Sequence, residues 1–287
     1  MYKVTQKDDG KYKVYELKDI ETNSILKVAP ERGGIITGFA VQGEEILFLN
    51  KQTFHDETAN VRGGIPILFP ISGQLENGEY KWEGKKYKMK NHGFARNLPW
   101  EVIDTNVDGH ASMTIRLGSN DETKAAYPFD FEVIFTYVLK GNTLTIHQEY
   151  TNKSNAEMPM YAGFHPYFKS NEKNIAYDTD AKTYLDNDEL EVKEVHHRID
   201  LSNKKEAFVL LDARKKEIAF ELRDLNKKVS MTYGEEFKYI YIWTEQNQDF
   251  ICVEPWMAMT NEFNRKDELY IVDPKETVTT EMTISVV

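Results

Sequence analysis

Cysteine occurs once in these 287 residues, at Cys252, so no internal disulfide can form and the chain fits a reducing compartment. Long apolar runs are missing too. The longest reach about eight residues, as around Ile65 to Ile71, against the roughly 20 that a membrane-spanning helix needs. The opening MYKVTQKDDGKYKV carries no apolar h-region, so a cytoplasmic location is expected. Positive charge is in deficit, with 36 Lys and Arg against 47 Asp and Glu, a net −11, and no basic run. That balance argues against nucleic acid or an anionic membrane as the main partner. Walker A, GxGxxG and GxSxG sequences are absent, which removes the usual signatures of nucleotide binding and serine hydrolysis. His196 and His197 are adjacent and would point to opposite faces of a strand, a poor metal pair. Neither a metal nor an organic cofactor is expected.

What remains is a chain with 40% hydrophobic and 12% aromatic residues, too rich in core formers to be disordered. Its dominant period is two. Phe129, Phe131, Val133, Phe135, Tyr137 and Leu139 alternate with more polar neighbours, as do Leu144, Ile146, Gln148 and Tyr150. Met113–Leu117, Lys238–Trp243 and Thr277–Val287 read the same way. Helical spacing appears only as short turns around Thr53–Asn60 and Asn261–Glu268. Asn77-Gly78, Glu83-Gly84, Asp108-Gly109 and Gly141-Asn142 lie between strand-like runs, where positive φ angles close hairpins. Strands joined so tightly pair antiparallel. The expected fold is all-β, one large antiparallel domain over residues 1–287, loosest in the polar stretch from Asn171 to Lys205.

Four segments break the alternation with residues that strand building does not require. Arg62-Gly63-Gly64-Ile65-Pro66 sets an irregular backbone beside a guanidinium, the preferred fork for carboxylate or phosphate oxygens. Asn91-His92-Gly93-Phe94-Ala95-Arg96 packs an amide, an imidazole and a guanidinium into six residues, which suits hydroxyls or oxyanions. Gly163-Phe164-His165-Pro166-Tyr167-Phe168 sets a histidine among aromatics, either a satisfied core residue or a proton carrier near neutral pH. In Cys252-Val253-Glu254-Pro255-Trp256 a carboxylate follows an apolar run, where burial is costly unless it has a partner or a task. Trp256 offers a flat face of the kind that stacks on sugar rings, and Cys252 reads as a small buried hydrophobe. Each segment alone has a bland alternative: a salt-bridged loop arginine, a solvated turn, a core histidine, a strand-end glutamate.

In this order, RGGIP, NHGFAR, HPYF and EPW resemble the aldose 1-epimerase (galactose mutarotase) family, most closely its bacterial aldose-epimerase-like and hexose-6-phosphate mutarotase members. The resemblance implies a large antiparallel β-sandwich, the supersandwich. It also implies interconversion of the α and β anomers of an aldohexose or its 6-phosphate, with a small sugar as the partner. By the same resemblance His165 is the general acid and Glu254 the general base. Asn91 and His92 match positions that hydrogen-bond the sugar, and Arg62 and Arg96 match substrate-binding arginines of the phosphate-handling branch. Gln74, in Gly73-Gln74, stands where many relatives carry an arginine. Glu206 or Asp212 would fill the place of a sugar-contacting aspartate that follows HPYF in relatives. A non-catalytic sugar-binding protein on the same scaffold is the alternative. A glycoside hydrolase is a more distant third, since hydrolases usually pair two carboxylates and only Glu254 sits in a matching motif.

Overall fold

A computed structural model describes residues 1–196 and 198–287, so the His196-His197 pairing lies partly outside the described residues. The period-two segments form strands. Phe131–Lys140 and Thr143–Asn152 pair antiparallel through the two-residue Gly141-Asn142 turn, with Lys140 opposite Thr143. Phe131, Val133, Phe135, Tyr137 and Leu139 are all buried, as are Leu144, Ile146, Gln148 and Tyr150. Gln148 is held by the Tyr150 hydroxyl, which donates to its Oε1 over 3.0 Å.

These two strands lie in a nine-stranded sheet. From one edge to the other its strands are Arg198–Asp200, Asn174–Asp178, Glu217–Leu222, Lys227–Tyr233, Thr277–Val286, Thr143–Asn152, Phe131–Lys140, Ala111–Gly118 and Glu101–Asn106. An eight-stranded sheet runs Glu191–Glu194, Thr183–Asp186, Phe208–Leu210, Tyr239–Trp243, Phe250–Trp256, Gly163–Phe164 and Ile67–Leu68, with Tyr167–Lys169 also pairing with Phe250–Trp256. The N-terminal strands make a five-stranded meander from Tyr2 to Glu45. One apolar core joins residues of all three sheets, among them Leu26, Phe39, Phe135, Ile146, Phe164, Ile240 and Val253. The named pairings are antiparallel, as expected of a large β-sandwich.

Short helices lie at Glu262–Arg265, within the expected Asn261–Glu268 turn, and at Lys51–His55, which overlaps the expected Thr53–Asn60 turn only at its start. A third, Asp121–Ala126, is opened by a capping box in which Asn120 and Thr123 satisfy each other's backbone. The stretch from Asn171 to Lys205 is more ordered than its composition suggests. It contributes strands to both large sheets and buries the Asp186 carboxylate against Lys193 and Lys204, each at 2.7 Å. No helix among the described residues is long and apolar enough to cross a membrane.

Candidate active site

Backbone hydrogen bonds bring the four unusual segments together. The N–H groups of His165 and Tyr167 donate to the carbonyls of Pro66 and Gly64, so the RGGIP segment runs alongside HPYF. At Gly64, with φ at +66°, an added Cβ would collide with the Ile36 carbonyl, so only glycine lets the segment lie this close. Phe94 and Ala95 donate to the Phe69 carbonyl, which docks NHGFAR on the other side. Gly163 pairs with Trp256, which completes the set.

Phe250–Trp256 is central to the eight-stranded sheet and buried along its whole length. Alternation sends Ile251 and Val253 into the main core and turns Phe250, Cys252, Glu254 and Trp256 to the opposite face. On the neighbouring strand Tyr239, Tyr241 and Trp243 stand opposite Trp256, Glu254 and Cys252. The site is therefore the second face of a sheet whose first face is core.

On that face His165 Nδ1 lies 3.4 Å from Glu254 Oε1, with the two side chains only 8% and 3% exposed. The Nδ1 atom is buried and makes no hydrogen bond within the protein. The His165 ring stacks on Tyr167 at 4.6 Å and 6°, and Trp243 meets it edge-on at 5.9 Å. The other Glu254 oxygen, Oε2, accepts from Trp256 Nε1 at 3.2 Å. Burial pushes Glu254 well above the usual carboxylate range, opposed by the Trp256 N–H and the charges of Arg96 and Arg62. Burial pushes His165 well below its ordinary value, and Arg96 and Arg62 lower it further.

His92 forms a third corner, its ring 5.5 Å from that of His165. Its Nδ1 accepts from the Gly73 N–H at 2.9 Å, while its own backbone N–H donates to the Gly73 carbonyl at 2.7 Å. Burial holds this ring neutral. A neutral imidazole accepting at Nδ1 carries its proton on Nε2, so His92 is a hydrogen-bond donor and not a base.

Arg62 and Arg96 supply positive charge at the rim. Arg62 lies over the Trp243 ring at 5.3 Å and its Nε is 3.4 Å from Glu245. Arg96 donates from Nη2 to the Asn91 carbonyl at 3.0 Å, while its Nε is enclosed without a partner. Burial and the charges of Arg62 and Arg32 push Arg96 down to about 10. Beside Asn91 and Arg96 opens a cavity of about 970 Å³, lined also by Asn60, Lys88, Lys90 and Phe94.

The remaining expected residues are placed less centrally. Asn91 is exposed, and its contact with Arg96 is through the backbone carbonyl. Gln74 is exposed, its backbone bound to Thr260 and Asn261. Glu206 is exposed, but the adjacent Lys205 carbonyl accepts from Trp243 Nε1 at 2.9 Å, which ties this segment to the rim. Asp212 Oδ1 instead accepts from the backbone N–H groups of Lys182 and Thr183 at 2.8 and 3.0 Å. Trp256, read as a sugar-stacking face, is 5% exposed and stacked on Tyr241 at 3.7 Å, so that face is already covered.

Tyr167, Tyr241 and Trp243 were not singled out from the sequence, although period two puts Tyr241 and Trp243 on one face. What it does not supply is the register that sets them opposite Glu254 and Cys252. Cys252 is the buried hydrophobe expected. It shares with His165 and Glu254 a cluster of donor atoms within 4.8 Å of one another. Burial pushes both its thiol and the Glu254 carboxyl up, toward their protonated forms.

The pH dependence of stability follows from Glu254. Its folded pKa lies above the unfolded value of about 4.3, so the folded state binds the proton more tightly. Stability is then lost as pH rises from that unfolded value to the folded one. Glu254→Gln removes this cost and keeps an acceptor for Trp256. It should melt about 2–4 °C above wild type at pH 8, with the difference closing toward pH 4.5, as thermal unfolding at several pH values would show.

The aldose 1-epimerase family model matches residues 15–285. The Slr1438 protein of Synechocystis sp. PCC 6803 superposes with a TM-score of 0.93 at 35% identity, covering 100% of this chain and 99% of that one. The "Putative glucose-6-phosphate 1-epimerase" of Escherichia coli K12 is 30% identical over 126 residues, 44% of this chain. That match spans only 38% of the E. coli protein's own length. The chromosomal LacX protein of Lactococcus lactis is 24% identical over 246 residues, 76% of this chain and 80% of that one. With nearly the whole length matched by one family model, the chain belongs to the aldose 1-epimerase family of isomerases.

Proposed function

We propose that the protein is a mutarotase that opens and recloses the ring of an aldohexose 6-phosphate, using His165 and Glu254 as its proton-transfer pair. The observation that carries this is the buried pair itself. An imidazole nitrogen with no partner in the protein faces a carboxylate oxygen at 3.4 Å, inside a rim of arginines.

Ring opening needs one proton delivered and one removed. Glu254 Oε1 takes the proton from the C1 hydroxyl, and that O–H electron pair becomes the second bond of the C1 carbonyl. The C1–O5 bond breaks, its electrons go to O5, and His165 gives O5 a proton. Rotation about C1–C2 presents the other carbonyl face, and reclosure with the same two transfers reversed yields the other anomer. Between them the two groups must hold one proton, and burial favours leaving it on Glu254. Burial is the first cause that keeps His165 neutral, and a dianion against Arg62 and Arg96 would offset the charges that add to it, and so favour moving the proton toward His165. His92, a donor through Nε2, fits a sugar oxygen.

The 6-phosphate is favoured by Arg96, whose Nε is enclosed without a partner and whose charge is poorly solvated. An oxyanion there would satisfy both deficits. The name of the E. coli relative points the same way. Of the two candidate sugar-contacting acids, Glu206 is preferred, since Asp212 Oδ1 already caps the 182–183 turn. The setting proposed is cytoplasmic, with the whole chain acting as one domain.

Rates of anomer exchange for glucose 6-phosphate, glucose and galactose, measured in one low-phosphate buffer, test the substrate. The expected kcat/KM is at least about tenfold higher for the phosphate ester. Equal acceleration of all three would make the arginines hydroxyl or structural contacts.

A further inference from the structure

Glu254 has one oxygen directed at His165 and the other at an indole, and that indole is held unusually firmly. Tyr241 stacks on it at 3.7 Å and 23°, and His92 meets it edge-on at 5.5 Å. Gly163 and Gly73 lie against its ring, where an added Cβ would come within 2.8 and 3.0 Å of indole carbons. Gly163 is also the backbone partner of Trp256 in the sheet, so the clamp is part of the strand pairing. A buried indole N–H needs an acceptor, and here the acceptor is Oε2 of the carboxylate two residues away on the same face.

We propose that Trp256 is a positioning residue, whose indole N–H holds Oε2 of Glu254 so that Oε1 is the oxygen that meets the sugar. A donor at Oε2 also favours the ionised carboxylate, against the burial that opposes it. Other groups press on the same carboxyl. His165 and Tyr167 come from the HPYF segment, Tyr241 from the neighbouring strand, Cys252 from its own strand, and Arg62 and Arg96 from the two loops, while His92 meets the His165 and Trp256 rings. Among the described residues, Trp256 is the hydrogen-bond donor that the structure gives to Glu254.

The inference rests on the acid–base role proposed for Glu254, so its test has a readout that needs no substrate. In protein carrying ¹³C at the glutamate Cδ, the Glu254 signal is identified by its loss in Glu254→Gln and then titrated by NMR. Trp256→Phe removes the donor and keeps an aromatic ring. The expected result is a Glu254 midpoint raised by about one pH unit. The acid limb of kcat/KM should move up by the same amount, with KM within about twofold of wild type. A midpoint unchanged from wild type would overturn the proposal, whatever the activity does. Should Trp256→Phe fail to fold, 3-benzothienylalanine at position 256 keeps the indole's shape with sulfur in place of the N–H. The same upward shift is expected there, and its absence is equally decisive against the proposal. If wild type accelerates no aldose, the acid–base role fails, and the NMR midpoint still decides whether Trp256 holds the carboxylate.

Discussion

Glu254→Gln should lower protein-catalysed anomer exchange by at least about 10²-fold, toward the 10²–10⁴ range typical of a lost general base. The amide keeps the shape of the carboxyl and can still accept from Trp256 Nε1, so the 3.2 Å contact that fixes the side chain survives. What it cannot do is take the proton of the C1 hydroxyl. Sugar binding should change little, because the arginines, His92 and the sheet face are untouched. His165→Asn should give a loss of the same order, together with some packing damage, since it also ends the 4.6 Å stack on Tyr167. Exchange rates and a binding titration on the same samples separate the two effects. Full activity in either variant would remove that residue from the mechanism, and binding without acceleration in wild type would favour the non-catalytic alternative.

Arg96→Gln should raise KM for glucose 6-phosphate about 10–100-fold while changing that for free glucose less than about threefold. The factor corresponds to the roughly 1.5–3 kcal/mol of a hydrogen bond to a charged group. Arg96 is the better target of the two arginines because its guanidinium is half-buried with an enclosed, unpartnered Nε. Arg62 is 44% exposed and already faces Glu245, so its substitution should cost less. Steady-state exchange kinetics on both sugars decide the matter. Equal losses for the two would show that Arg96 contacts the ring hydroxyls or only supports Asn91.

Much of this was legible in the sequence because period two is a direct image of a half-buried strand. The faces read for Phe129–Leu139 and Leu144–Tyr150 are the faces buried in the core. The catalytic candidates were legible for the opposite reason, since glycine, proline and charged side chains sit where alternation should have continued. Register was not legible. Nothing local says that Tyr241 stands opposite Glu254, or that Gly163 meets Trp256, because those partners are set by pairing across the chain. The polar stretch from Asn171 to Lys205 concealed its strands, because its buried apolar residues, Ile175, Tyr177, Ile199 and Leu201 among them, are few and widely spaced, and a buried aspartate held by two lysines lies between them. Trp256 was misread because an exposed indole and a clamped one look identical until Tyr241 is placed on its face.

The central claim is that the buried His165–Glu254 pair moves protons on a sugar. Two-dimensional exchange NMR between the anomers of glucose 6-phosphate, at one pH and in low-phosphate buffer, tests it most directly. Wild type and Glu254→Gln would be compared at equal concentration. The account predicts cross-peaks that build up faster than in buffer with wild type and at the buffer rate with the variant. Equal acceleration by both proteins, or none by wild type on glucose 6-phosphate, glucose and galactose alike, would contradict it.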